Sequence, residues 1–227
     1  MDLAYTIKKS AKRRKLTITV ERDRRVIVHA PEAATDEKIH QMVQSKRQWI
    51  FEKIGHPQKY HDLPHAPGKE LVSGESALYL GREYRIEMVK TGLSQVQFAQ
   101  RFFIPATQGE KRAEALREWY VCKAKEKITP RVQRHARELG VDVAEVKIVD
   151  NRYRWGSCTL KDNVNFNWRL IKAPMFVIDY VIVHELAHLI EANHTPRFWN
   201  IVRTQAPIME KAKAWLKEHG ELLEQAI

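Results

Sequence analysis

The 227-residue chain lacks most features that would mark a secreted, membrane or disordered protein. It has two cysteines, Cys122 and Cys158, and neither belongs to a C-x-x-C pair. A cysteine-based metal site is therefore not expected, and two free thiols are the expected state in a reducing compartment. No apolar run approaches the roughly 20 residues needed to cross a bilayer, so no membrane association is expected. The opening MDLAYTIKKSAKRRK carries basic residues with no apolar stretch behind them, unlike a secretory signal, and a cytoplasmic location is the expectation. There is no internal repeat and no low-complexity tract. A 44% hydrophobic share beside a 30% charged share describes a chain able to bury a core.

Acidic residues are also scarce, 28 against 39 lysines and arginines, for a net charge of +11. The excess is uneven: residues 1–25 hold nine basic and three acidic side chains, a net +6. Such a block suits a nucleic acid or another polyanion. It equally suits a strand edge whose cations discourage sheet-to-sheet aggregation. The second reading is favoured, because charge alone carries no specificity.

Residues 15–30, KLTITVERDRRVIVHA, alternate with the period of two half-buried strands and predict a hairpin ended by Pro31. Thr35 then caps a helix with Asp36 and Glu37 in its first turn and an apolar face of Ile39, Met42, Val43, Trp49, Ile50 and Ile54. Residues 55–69 contain three prolines and read as a loop. Its histidines, His56, His61 and His65, are not expected to bind metal, since the prolines prevent a regular helix and no carboxylate or cysteine cluster completes a site. Short strands broken by Gly74, Gly81 and Gly92 are expected over 71–104, then a long helix over about 110–139, kinked or split at Pro130 and closed by Gly140. Strands follow at 146–150, 152–158 and 163–170, and Pro174 opens a further helix. The expected fold class is α+β: an N-terminal, mainly strand lobe with one helix over 1–105, and a C-terminal lobe over 106–227 with a long helix, a small antiparallel-containing sheet and a last group of helices.

Within that last group the chain reads VIVHELAHLIEANHTPRFW over 181–199. On a helix, positions four apart differ by about 40° of rotation and 6 Å of rise, so His184 and His188 point the same way and can reach one ion. Glu185 lies about 100° round from His184, beside that ion and placed to act as a base. A catalytic zinc takes three protein ligands and keeps one position open. His194 would be about 240° away on an unbroken helix, so the helix must end first. Asn193 tolerates the left-handed conformation of a helix end, and Thr195 with Pro196 reads as an N-cap and first position of a new helix. His194 then falls in the corner and swings back toward the pair. The flanks are apolar, so these polar groups are buried and need partners, which a metal supplies.

With these residues in place, the sequence resembles the YgjP-like, zincin-type metallohydrolases. The likeness is carried by RWGSC (154–158), the N-x-x-L of Asn167 and Leu170, DYVIVHELAH (179–188) and NHTPRFW (193–199), with looser agreement at LYLGREYRI (78–86), QWI (48–50) and the N-terminal hairpin. Thr195 stands where the family often has serine and keeps the capping hydroxyl. The absence of glycine between Leu189 and Asn193 departs from metzincins. The resemblance implies one Zn2+ per chain, or another divalent metal, on His184, His188 and His194, with Glu185 as general base, in a zincin-like C-terminal domain.

The edge strand over 153–158 is expected to hold an extended substrate through main-chain hydrogen bonds. Arg154, Trp155, Gly156 and Ser157 are the candidate substrate-binding residues. The alternative is structural, with Trp155 in the core, Gly156 permitting a bulge and Ser157 an ordinary strand residue. Tyr153 or Tyr180 is a candidate donor to an oxyanion, Arg152 or Arg154 a candidate partner for an anionic group, and Asp179 or Glu191 a candidate to orient a ligand histidine. The function expected first is a zinc metallopeptidase acting on a peptide or other small substrate. A metal-dependent hydrolase of nucleotides or other phosphorylated substrates is the alternative, and a nucleic-acid-binding protein with a structural metal is the third.

Overall fold

A computed structural model describes residues 3–21, 24–55, 70–106, 109–151 and 154–224. The histidines of the proline-rich loop, together with Arg152 and Tyr153, lie outside the described residues. The chain divides into two compact units, Met1–Ala66 and Pro67–Ile227.

The first unit is a three-stranded sheet and two helices. The expected hairpin is present as β2 (Thr17–Val20) and β3 (Val26–Pro31), preceded by a strand the alternation did not announce, β1 (Thr6–Ser10). The order is β1-β3-β2, with β1 parallel and β2 antiparallel to β3. Thr35 caps α1 (Asp36–Ser45) by accepting from Lys38 N at 3.4 Å. The single helix expected here ends at Ser45 and a second, α2 (Arg47–Ile54), follows Lys46. This break turns Trp49 outward, while Ile39, Val43 and Ile50 pack with Val20, Val26, Val28 and Ala30.

The second unit is mixed α+β and holds the larger core. β4 (Ser76–Tyr79), β5 (Arg82–Val89), β6 (Gln97–Phe98) and β7 (Phe102–Pro105) form a sheet of order β4-β5-β7-β6. The sequence placed these strands with the N-terminal lobe, but they belong to the second unit. The reason is aromatic packing: Tyr79 and Phe102 meet Trp119, on the helix that follows, with ring centroids 5.0 and 4.9 Å apart, and Tyr120 donates its hydroxyl to Leu78 O at 2.7 Å. Edge-to-face pairs of this kind add to the roughly 1.5–3 kcal/mol that each large buried side chain contributes.

That helix, α3 (Gly109–Leu139), runs unbroken through Pro130. Pro130 is on its exposed side, where water can satisfy the carbonyl the proline leaves free, while Ile128 and Val132 stay fully buried and hold the helix in line. β8 (Glu145–Val149), β9 (Gly156–Cys158) and β10 (Asn163–Asn167) make a second sheet, order β8-β10-β9, with β8 parallel and β9 antiparallel to β10. The expected strands over 152–158 and 163–170 are thus shorter: β9 begins at Gly156, and Asn167 leads into a 3-10 turn, Trp168–Lys172. Three helices complete the chain, α4 (Met175–Ala187), α5 (Pro196–Gln205) and α6 (Met209–Glu224).

Among the described residues no helix is long and apolar enough to cross a membrane. Both cysteines are free.

A polar clamp ties α4 to α3. Arg131 donates to both oxygens of Asp179 at 2.8 and 2.9 Å, and the His135 ring lies 3.3 Å from the same carboxylate. Burial alone would raise the Asp179 carboxyl, but the hydrogen bond from His135 and the Arg131 charge outweigh it and hold the group below its ordinary 3.8. A carboxylate depressed in the fold stabilises it above the unfolded-state value and loses that contribution as pH falls through the folded one. The parent should therefore unfold at a higher temperature than Asp179→Asn at pH 7, and the gap should close below about pH 4. Thermal unfolding across that range checks it; a gap of constant size would refute the linkage.

Candidate metal centre

The centre is built on α4, whose sequence MFVIDYVIVHELA is apolar on nearly every side. Val177, Ile178, Val181, Ile182, Val183, Leu186 and Ala187 are all buried, so the helix runs through the core. His184 and Glu185 occupy its last turn, and His188 is the C-cap.

The helix does not end as expected. Asn193 is not among the residues of positive φ, and the helix stops earlier, at Ala187. Its last carbonyls are satisfied by a tightening turn: Leu189 N bonds Leu186 O, and both Ile190 N and Glu191 N bond Ala187 O. Two further bonds close the corner. Thr195 N donates to Asn193 O at 2.8 Å, and the Thr195 hydroxyl accepts from Phe198 N at 3.3 Å, capping α5 with Pro196 at its first turn. The cap was legible in the sequence.

The corner returns His194 to the pair. Its Nε2 lies 3.2 Å from His184 Nε2. One ring nitrogen from each of His184, His188 and His194 lies within 4.8 Å of the others, and this is the only such donor group among the described residues. Phe198, fully buried, is the floor beneath all three rings, with centroids 4.5–5.0 Å away, and Trp199 stacks on His194.

The donor set fits a divalent ion. Nitrogens bound at 2.0–2.1 Å in a tetrahedron are separated by roughly 3.3 Å, close to the spacing of His184 and His194. His188 Nδ1 is 3.2 Å from Glu191 O, which orients the ring and leaves Nε2 for a metal. Glu191 thus serves through its main chain, not its carboxylate. Asp179, the other candidate to orient a ligand, is engaged by Arg131 and His135 instead. Among the described residues His184 Nδ1 is buried with no hydrogen-bond partner, and its Nε2 meets only another imidazole nitrogen. A buried ring so poorly paired is costly, and an ion relieves that cost. Burial first, then the neighbouring His188, His194 and Lys213, push the His184 imidazole down to about 3. Burial and His188 lower His194 as well. His184 and His194 are therefore held toward the neutral form, the one that ligates.

Glu185 is buried beside them, and burial pushes its carboxyl up to about 7 against the opposing charge of Arg154. A Cβ on Gly156 would fall 2.6 Å from Glu185 Cγ and 2.8 Å from Oε1. Gly156 is thus glycine because the Glu185 side chain occupies the space, not because the strand bulges there. Trp155 is half-buried against the core, and the Ser157 hydroxyl accepts from Asn165 Nδ2 at 3.2 Å. Tyr180, buried, has its ring centroid 6.0 Å from that of His184, and burial pushes its phenol up to about 12.

Asn167, fully buried, was noted in the sequence only as part of a likeness. Its Nδ2 donates to Asn151 O at 2.6 Å and Arg154 O at 3.4 Å, its Oδ1 accepts from Arg169 N, and its main-chain N donates to Trp155 O at 2.8 Å. One side chain therefore fixes the approach to β9. The signal that could have found it is an amide at a strand end that must be buried. Phe198 and Trp199 were readable only as the apolar side of α5.

The chain matches the family described as YgjP-like, metallopeptidase domain, over residues 14–219, and it belongs to that family. Among solved structures, the metallopeptidase zymogen of Pyrococcus abyssi abylysin is similar at 17% identity, covering 44% of this chain and 99% of that one with a TM-score of 0.35. The metallopeptidase zymogen of Methanocaldococcus jannaschii jannalysin is similar at 21% identity, covering 42% and 97%, with a TM-score of 0.36. No curated protein matches the chain. The family makes the chain a hydrolase that uses a divalent metal.

Of the three candidate ligands, His194 is the furthest from α4 in sequence and the most exposed. Protein purified without added metal should contain about one zinc per chain. The His194→Ala variant should contain much less, measured by emission spectrometry. Equal metal in both would remove His194 from the ligand set.

Proposed function

We propose that this chain is a zinc peptidase in which His184, His188 and His194 hold the ion and Glu185 is the general base. The observation that carries the reading is the Glu185 carboxylate, buried beside three converging imidazoles and pressed against Gly156. A bound zinc ion supplies Lewis-acid polarisation of the scissile carbonyl and makes a water nucleophilic near neutral pH.

Glu185 takes a proton from the attacking water at a carboxylate oxygen and delivers it to the leaving amine. Burial pushes its carboxyl up to about 7, and positive charge beside it draws the value down, so the base is ionised when it is needed. The Tyr180 hydroxyl stays protonated at neutral pH and is a donor for the developing oxyanion. β9 is an edge strand of its sheet and packs against α4, so an extended peptide added to it would run past Glu185.

Glu185→Gln should keep its zinc and lose hydrolysis of a fluorogenic peptide library by about 100-fold or more. Gly156→Ala, which forces the same carboxylate aside, should also keep the metal and lose most of kcat. Full activity in Glu185→Gln would end the proposal.

A further inference from the structure

We propose that Arg154 makes this an acid-selective site: its guanidinium receives a carboxylate of the substrate next to the bond that is cut. The inference rests on the peptidase reading above and names the substrate class.

Position comes first. Arg154 precedes by two residues Gly156, whose α-carbon is against the Glu185 side chain. Two residues of chain span at most about 7 Å, so Arg154 stands at the rim of the centre. Its main chain is not free to drift, because Asn167 holds the carbonyls of Asn151, Arg154 and Trp155. The fold uses the backbone of this residue and leaves its side chain exposed.

Availability comes second. The nearest acidic residue in the sequence, Asp150, is taken: Arg117 pairs with it at 3.1 Å, and Arg169 bonds its other oxygen. Lys213, a second cation near the histidines, pairs with Glu210 at 3.2 Å and lies 4.8 Å over the Trp199 ring. Arg154 has no ion-pair or hydrogen-bond partner for its guanidinium among the described residues. An exposed guanidinium held at the lip of a buried catalytic carboxylate offers a planar fork that matches a carboxylate in a bidentate pair.

That carboxylate can belong to an Asp or Glu side chain or to the C-terminus of a short peptide, and the experiment separates the two. Zinc-loaded parent, Arg154→Ala and Arg154→Glu proteins are given peptides with internal Asp or Glu, their Asn or Gln isosteres, and each peptide with a free or amidated C-terminus. Binding of the same peptides to Glu185→Gln, by fluorescence anisotropy, is a readout independent of turnover. Thermal unfolding and zinc content confirm that each variant is folded.

The parent should prefer one carboxylate-bearing set over its neutral counterpart by about tenfold or more in kcat/KM, as expected for a charged bond lost with one partner. Arg154→Ala should bring that ratio to about one, and Arg154→Glu should turn it below one. The Glu185→Gln protein should bind the favoured acidic set more tightly, and addition of Arg154→Ala should remove the difference. Cleavage with no acidic preference, or a preference unchanged in the Arg154 variants, would overturn this inference alone. Absence of both cleavage and binding for every peptide would overturn the peptidase reading beneath it.

Discussion

The core of the second unit forces its own chemistry. α4 is apolar almost all round, so it can only run through the interior, and whatever polar groups it carries are taken from water. Besides Asp179, which Arg131 and His135 clamp to α3, it carries its charged and ligating groups in the last turn, where the surrounding hydrocarbon gives way to a corner. The two ends of that corner are set by different devices: i-to-i−3 bonding that tapers α4, and a threonine cap that starts α5. Between them His194 has little choice of direction. The ring of Phe198, in the first turn of α5, closes the space below. Burial thus favours the neutral form of His184 and His194 and raises the proton affinity of Glu185 within one small volume.

Much of this was legible in the chain because the chemistry is local. The spacing of His184, Glu185 and His188 is a helix property, and the cap at Thr195 and Pro196 is written in two adjacent residues. The α+β character followed from alternation and helical period. What escaped depended on contacts between distant segments. β1 is exposed and polar, TIKKS, so its own pattern does not announce a strand; it forms because β3 offers a parallel edge. The strands over 76–105 were assigned to the wrong neighbour because edge-to-face packing of Tyr79 and Phe102 on Trp119 has no periodic trace. Pro130 was overweighted: a proline on the wet side of a long, well-anchored helix costs one hydrogen bond and not the helix.

The reading of Gly156 shows the same limit. A glycine in a strand suggests a bulge when only the strand is considered. The actual cause lies 29 positions later, in the side chain of Glu185. Asn167 is comparable, since its amide serves carbonyls on a segment it follows by more than ten residues. The basic block of the first unit is partly balanced in the fold, as Lys9 pairs with Asp36 and Arg25 with Glu21.

The contact between Gly156 and Glu185 also bears on how such a chain can change over time. Every replacement of glycine adds a Cβ where the glutamate side chain already is. A side chain at position 156 therefore displaces the Glu185 carboxylate from where it now lies. A larger residue at 156 is accommodated where the side chain at 185 moves aside or is shorter. The two positions are thus coupled by shape, and under the proposed mechanism a bulkier residue at 156 would mark a relative in which the carboxylate at 185 stands elsewhere.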